Sequence, residues 1–246
     1  MMEAVGRVFD ELQQQYRHTV LVLLSPLNEG ADRLAAKVAK KKGVQLIAVL
    51  AWPEGVCNDQ LHRTGSEAEF NELLSGAAHV VHLSLIEGTS EADIQNSKDA
   101  RAVHYAQVGA YIARHSQYLI ALWDGENTPR GGTARVVRWQ REGKTAPFAP
   151  NVGLLDEVES GPVCHILTPR SGRNPPDGAM TRKILYPEGT AARPDERQAE
   201  REFRRVWQNL DRFNRDAARL QTHSAGAVRA SRGYVLSNAD VARLST

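Results

Sequence analysis

Short apolar runs alternate with amphipathic stretches along the first two thirds of the chain. The runs are residues 20–24 (VLVLL), 44–51 (VQLIAVLA), 80–86 (VVHLSLI), 118–123 (YLIALW) and 162–168 (PVCHILT). Their length and near-continuous apolar character predict strands covered on both faces. Between them the period changes to that of a helix. Val5, Phe9 and Leu12 share one face, and Ala31, Leu34, Ala35, Val38 and Ala39 share another. Lys40, Lys41 and Lys42 close that second helix favourably for its dipole, and Gly43 stops it. Ser66 and Glu69 match a capping box, with Phe70, Leu73, Leu74 and Ala77 as the apolar face behind it. Val103, Ala106, Ala110 and Ala113 line a fourth helix, on which Gly109 marks close packing. A further helical segment runs from Thr133 to Gly143. Strands alternating with helices predict an α/β fold with right-handed crossovers, a three-layer Rossmann-like parallel sheet.

The pattern breaks at Pro169. Residues 169–195 are Pro-rich and aperiodic, and read as an extended linker. From Glu196, the residues Phe203, Val206, Trp207, Leu210, Phe213, Ala217 and Leu220 recur at steps of three and four, opposite a charged face. This predicts a long helix that packs on the α/β part, the alternative being a surface for a helical partner. The expected organisation is therefore a nucleotide-binding domain over 1–168, a linker over 169–195, and a helical extension with its tail over 196–246.

Composition narrows the picture modestly. The 246 residues are 41% apolar and 24% charged, which suits a globular chain, and the net charge of +2 is too small to argue for nucleic acid. Cys57 and Cys164 make no disulfide framework and fit a reducing compartment. No apolar run approaches the ~18 residues needed to span a bilayer, and no N-terminal targeting signal is visible. A cytoplasmic location is the expectation. His79 and His82 are three apart on one strand and point to opposite faces, so no shared metal is expected; neither is a resident cofactor.

Candidate chemistry gathers at two turns that follow strands. The first holds Ser25, Asn28, Glu29, Asp32 and Arg33. The second holds Asp124, Arg130, Gly131, Gly132 and Thr133 and opens a helix, with Arg135 just beyond. In doubly wound sheets ligands bind beyond the carboxyl ends of central strands, so both turns are expected on one crevice. The first amides of a helix lack internal partners and carry partial positive charge; glycines allow close approach and Thr133 adds a hydroxyl, a corner suited to phosphate. Glu29 can accept from ribose hydroxyls and Arg33 can pair with phosphate, unless Glu29 and Asp32 only favour a helix N-terminus and Arg33 is solvated. Tyr105, behind the acidic loop at 87–99, can stack on a base or sit at the edge of the core.

The stretches NEGADRLAAKVAKKKGVQLIAVLAWP and QYLIALWDG with GGTARVV resemble the two halves of a SLOG domain, the Rossmann-like nucleotide sensors related to the LOG and DprA proteins. HILTPR at 165–170 resembles the exit strand of some bacterial members, so the resemblance spans roughly 19–170. It implies a domain that senses a nucleotide or NAD-derived signalling molecule, a second messenger, in bacterial anti-phage defence or stress signalling. A homo-oligomer, or an effector or membrane region outside this chain, fits the same picture. LOG enzymes cleave the base from a nucleoside monophosphate and carry an acid soon after the glycine motif. Here the string is RGGTARVV, with no acid before Glu142, so the reading leans against an enzyme and names no catalytic residue. The alternatives are a LOG-like phosphoribohydrolase and, with DprA kinship and an Arg-rich tail, single-stranded DNA binding.

Overall fold

The computed structural model describes residues 1–52, 67–126, 132–149, 160–169, 176–187 and 196–224, with residues 221–224 as backbone only. The elements in chain order are α1 (Met2–Gln15), β1 (Val22–Ser25), α2 (Ala31–Lys41), β2 (Gln45–Leu50), α3 (Glu67–Ser75), β3 (His79–His82), α4 (Glu91–Asn96), α5 (Lys98–His115), β4 (Leu119–Trp123), α6 (Gly132–Glu142), β5 (Val163–Leu167), β6 (Arg182–Leu185) and α7 (Glu196–Ser224).

The fold is mixed α/β. The described strands form two three-stranded sheets and no closed barrel. The first has the order β1-β2-β3, all parallel, with Leu23 beside Leu46 and Ala48 beside Val80. The second has the order β4-β5-β6; β4 and β5 are parallel, Ile120 beside Cys164, and β6 runs antiparallel to β5. The open edges of β1 and β4 flank a groove, and no ladder joins them among the described residues.

The apolar runs follow from this cladding. Ile120, Leu122, Cys164 and Ile166 pack against Val5, Val8 and Phe9 of α1 and Val38 and Ala39 of α2. Ala121 and Val163, pointing the other way, meet Val137 of α6. Helix α1 reaches both sheets. Its Asp10 holds Lys42 at 2.7 Å beside α2, and its Glu11 holds Arg182 of β6 at 2.7 Å. On the other face, α5 sends Val108 and Ile112 into the core over β2, and Ala106, Ala110 and Ala113 against Trp139 of α6. Gly109 permits that second contact: a Cβ there would lie 2.6 Å from Val136 Cγ2.

Two segments read as loop or linker carry structure. In the acidic loop, Ser90 and Asp93 form a reciprocal capping box that starts α4. In the Pro-rich stretch, β6 covers the outer edge of β5, so the α/β part extends at least to Leu185. Ser66, half of the expected capping box, lies outside the described residues, and the Glu69 carboxylate is taken up by Arg33 and Lys37. Helix α7 docks by part of its surface. Ala199 is buried, Trp207 meets the rings of Tyr16 and Tyr118 edge-on, and Asp211 accepts from the His18 amide and the Thr19 hydroxyl. Val206, Leu210, Phe213 and Leu220 remain exposed.

Candidate functional site

The turn between β1 and α2 is held in an unusual conformation by its own side chains. Ser25, buried, accepts from the Leu27 amide at 3.2 Å. Leu27 has a positive φ of 54°, disfavoured for a branched residue, and is kept there by burial in the core and by Arg33, whose Nε donates to its carbonyl at 2.9 Å. The chain then turns through Gly30, φ 89°, into α2. The result aims Asn28 and Asp32 into the groove between β1 and β4.

Asp32 is the most perturbed carboxyl of this region. Burial pushes it up from the ordinary 3.8 to about 6, against hydrogen bonds from the Asn28 side chain and backbone that lower it. It is thereby poised to change protonation close to neutral pH, a property concentrated at functional sites.

The opposite wall is the start of α6. Gly132 and Thr133 are exposed and line the groove, and a Cβ added at Gly132 would meet nothing within 4 Å. Arg135 also lines it. Its guanidinium lies 5.1 Å from the Trp139 ring centroid, while its buried Nε has no hydrogen-bond partner among the described residues. A buried donor left so is costly unless something completes it. Tyr105 stands on α5 at the rim, half-exposed, its ring 5.0 Å from that of the buried Trp52.

The groove has a volume of about 1050 Å³. Small-molecule sites run to about 300–1,000 Å³, so it has room for a ligand of nucleotide or dinucleotide size. Its polar end carries Ser25, Asn28, Asp32, Thr133 and Arg135; its middle is apolar, between Leu24 and Ile120; its far end is closed by Tyr16, Tyr118 and Trp207. Among the described residues no group of three metal-ligating side chains converges, and no helix is long and apolar enough to cross a membrane.

Of the residues singled out in the sequence, Ser25, Asn28, Asp32, Tyr105, Gly132, Thr133 and Arg135 line this one groove. Arg33 does not. It is buried on the far side of α2, 3.1 Å from Glu69 and over the Phe70 ring, where it braces the turn. Glu29 is exposed beside the groove rather than lining it, and Asp124 sits in the turn after β4, its Oδ1 accepting from the Glu126 amide at 3.2 Å. Arg130 and Gly131 lie outside the described residues. The aromatic far end had no signal in the sequence, because Tyr16, Tyr118 and Trp207 come from three distant segments. Comparison of the chain with protein-family models, with curated proteins and with solved structures finds no match.

Proposed function

We propose that the groove binds a nucleotide or NAD-derived small molecule and that the chain acts as a sensor of it. One observation carries this reading. The β1–α2 turn and the start of α6 bring hydroxyl, amide, carboxyl and guanidinium groups to one end of a groove of about 1050 Å³. The helix start offers amides and positive potential to a phosphate, and Arg135 offers an unfilled donor. Asn28 and Asp32 can take ribose hydroxyls, and Tyr105 gives a base a ring to lie on. In this reading the two sheets are the halves of a Rossmann-like arrangement. β1 leads on to β2 in one direction and β4 to β5 in the other, and the ligand sits where the order diverges. Sensing is favoured over hydrolysis because α6 has no acid before Glu142 to serve the phosphate corner.

A thermal-shift panel of nucleoside mono-, di- and triphosphates, cyclic nucleotides and ADP-ribose tests it. A ligand at a hundredfold excess over its Kd stabilises the folded chain by about 2.7 kcal/mol, an easily measured change in melting temperature. Gly132→Val and Arg135→Gln should each leave the free protein folded and abolish or greatly reduce that stabilisation. Arg33→Ala should lower the melting temperature of the free protein and leave the response to ligand in place. No stabilisation by any of these compounds, or one undiminished in both groove variants, counts against the proposal. Release of adenine from adenosine monophosphate, lost in Gly132→Val, would replace the sensor by an enzyme.

A further inference from the structure

The two sheets turn open edges toward one another, and their ladders fix which main-chain groups those edges carry. The Gln45 amide donates to the Leu21 carbonyl, and the β1–β2 register then commits Leu21, Leu23 and Ser25 to β2. The N–H and C=O of Val22 and Leu24 therefore point into the groove. In β4 the Leu119 amide donates to Pro162 and the Trp123 carbonyl accepts from Thr168, which commits Leu119, Ala121 and Trp123 to β5. Ile120 and Leu122 turn their N–H and C=O into the groove from its other wall. Both strands run from the Trp207 end, where Thr19 and Tyr118 precede them, toward the polar end, where Asn28 and Gly132 follow. The two open edges are thus parallel.

The side chains agree with the main chain. Leu21 and Leu23 pack with Ile120 and Leu122 in the cluster beneath α1 and α2. Leu24 and Leu119 pack in the cluster that α5 covers, and Ala121 faces the same side. Paired residues of a parallel ladder share a face, so Val22 falls beside Leu119 or, one repeat along, Ala121. Helices α1 and α5 already span both halves, so pairing leaves the order of elements unchanged. It would cover Val20 and Val22, which stand 69% and 45% exposed at the start of an apolar strand. We infer that β1 and β4 close into a single sheet, ordered β3-β2-β1-β4-β5-β6, when a ligand joins the two sides of the polar end. The inference rests on the reading of that end as a nucleotide site. Ser25, Asn28 and Asp32 stand on the β1 side, and Thr133 and Arg135 on the β4 side. A ligand that touches both makes all its contacts only when the two come together, so it draws the population toward the closed form. Burial of the apolar middle and the new main-chain bonds act in the same direction.

Cysteine pairs in the full chain test this, in a Cys57→Ser background that leaves Cys164 buried under α1. Adjacent strands lie about 4.7–4.9 Å apart, within the span of about 4.4–6.8 Å between Cα atoms that a disulfide bridges. Val22→Cys with Leu119→Cys, or Val22→Cys with Ala121→Cys, should close to a disulfide under mild oxidation of the folded chain. Val22→Cys with Ile120→Cys, whose side chains emerge on opposite faces, should stay reduced. Closure of neither expected pair, or of the control as readily, overturns the inference. The affinities of the locked and reduced forms for adenosine monophosphate, cyclic adenosine monophosphate and ADP-ribose then test the coupling. The locked chain should bind whichever of them the parent binds about tenfold or more tightly, since a minor closed form of 10% or less taxes the parent by that factor. Equal binding by both forms overturns the coupling while the nucleotide site stands. Binding by neither form takes the coupling down with the nucleotide reading, and a disulfide between the expected pair then supports closure by itself.

Discussion

At the scale of single residues, Asp32 and Arg33 are neighbours with opposite fates. Both stand in the first turn of α2, but Arg33 turns into the core beneath the β1–α2 turn, while Asp32 points into the groove. The titration of Asp32 has a definite sign. Its carboxyl keeps a proton to about pH 6 in the fold but loses it near 3.8 when unfolded. Between those values the folded chain holds a proton the unfolded chain has lost, so stability falls as pH rises through the window and stays reduced above it. Asp32→Asn removes the penalty and keeps an acceptor for Asn28. It should be more stable than the parent at pH 8 by up to about 2–3 kcal/mol, since each pH unit between the folded and unfolded values is worth about 1.36 kcal/mol. The difference should shrink toward pH 4.5. Urea unfolding of both proteins at the two pH values measures it; an equal difference at both would mean that Asp32 titrates normally.

At the scale of elements, what could be read from the sequence was what depends on local pattern. The five apolar runs are strands within a residue or two at most ends, because a short continuous apolar run declares itself without reference to a partner, although only β2 and β5 bury most of their residues. The run at 80–86 is the exception: β3 ends at His82, after which the chain leaves the sheet toward α4. Strand β6 has no such signature. Ile184 and Leu185 are only two apolar residues after Arg182 and Lys183, and the strand exists because β5 offers an edge to pair with. The direction of Arg33 was not legible either, since a helix start fixes spacing but not which flanking element supplies the counter-charge. Gly109 shows the opposite case, a local signal with a tertiary cause. Gly109→Ala should separate α5 from α6 and destabilise by about 1–3 kcal/mol, as overpacking does. Val136→Ala in the same chain should recover much of that loss. Chemical denaturation of the two single variants and the double variant checks the coupling; strictly additive losses would place the contact elsewhere.

At the scale of the whole molecule, the groove is where the two sheets meet without joining. Helices α1 and α5 straddle it on opposite faces, and Trp207 and Leu210 of α7 line its far end. Hydrogen–deuterium exchange on the full chain, with and without a saturating nucleotide or ADP-ribose found in the thermal-shift panel, tests the central claim most directly. The account expects slowed exchange in peptides covering residues 25–32 and 132–136, with peptides from the C-terminal half of α2 (36–41) and from α3 unchanged. Binding accompanied by protection elsewhere, and none at those two segments, would contradict it.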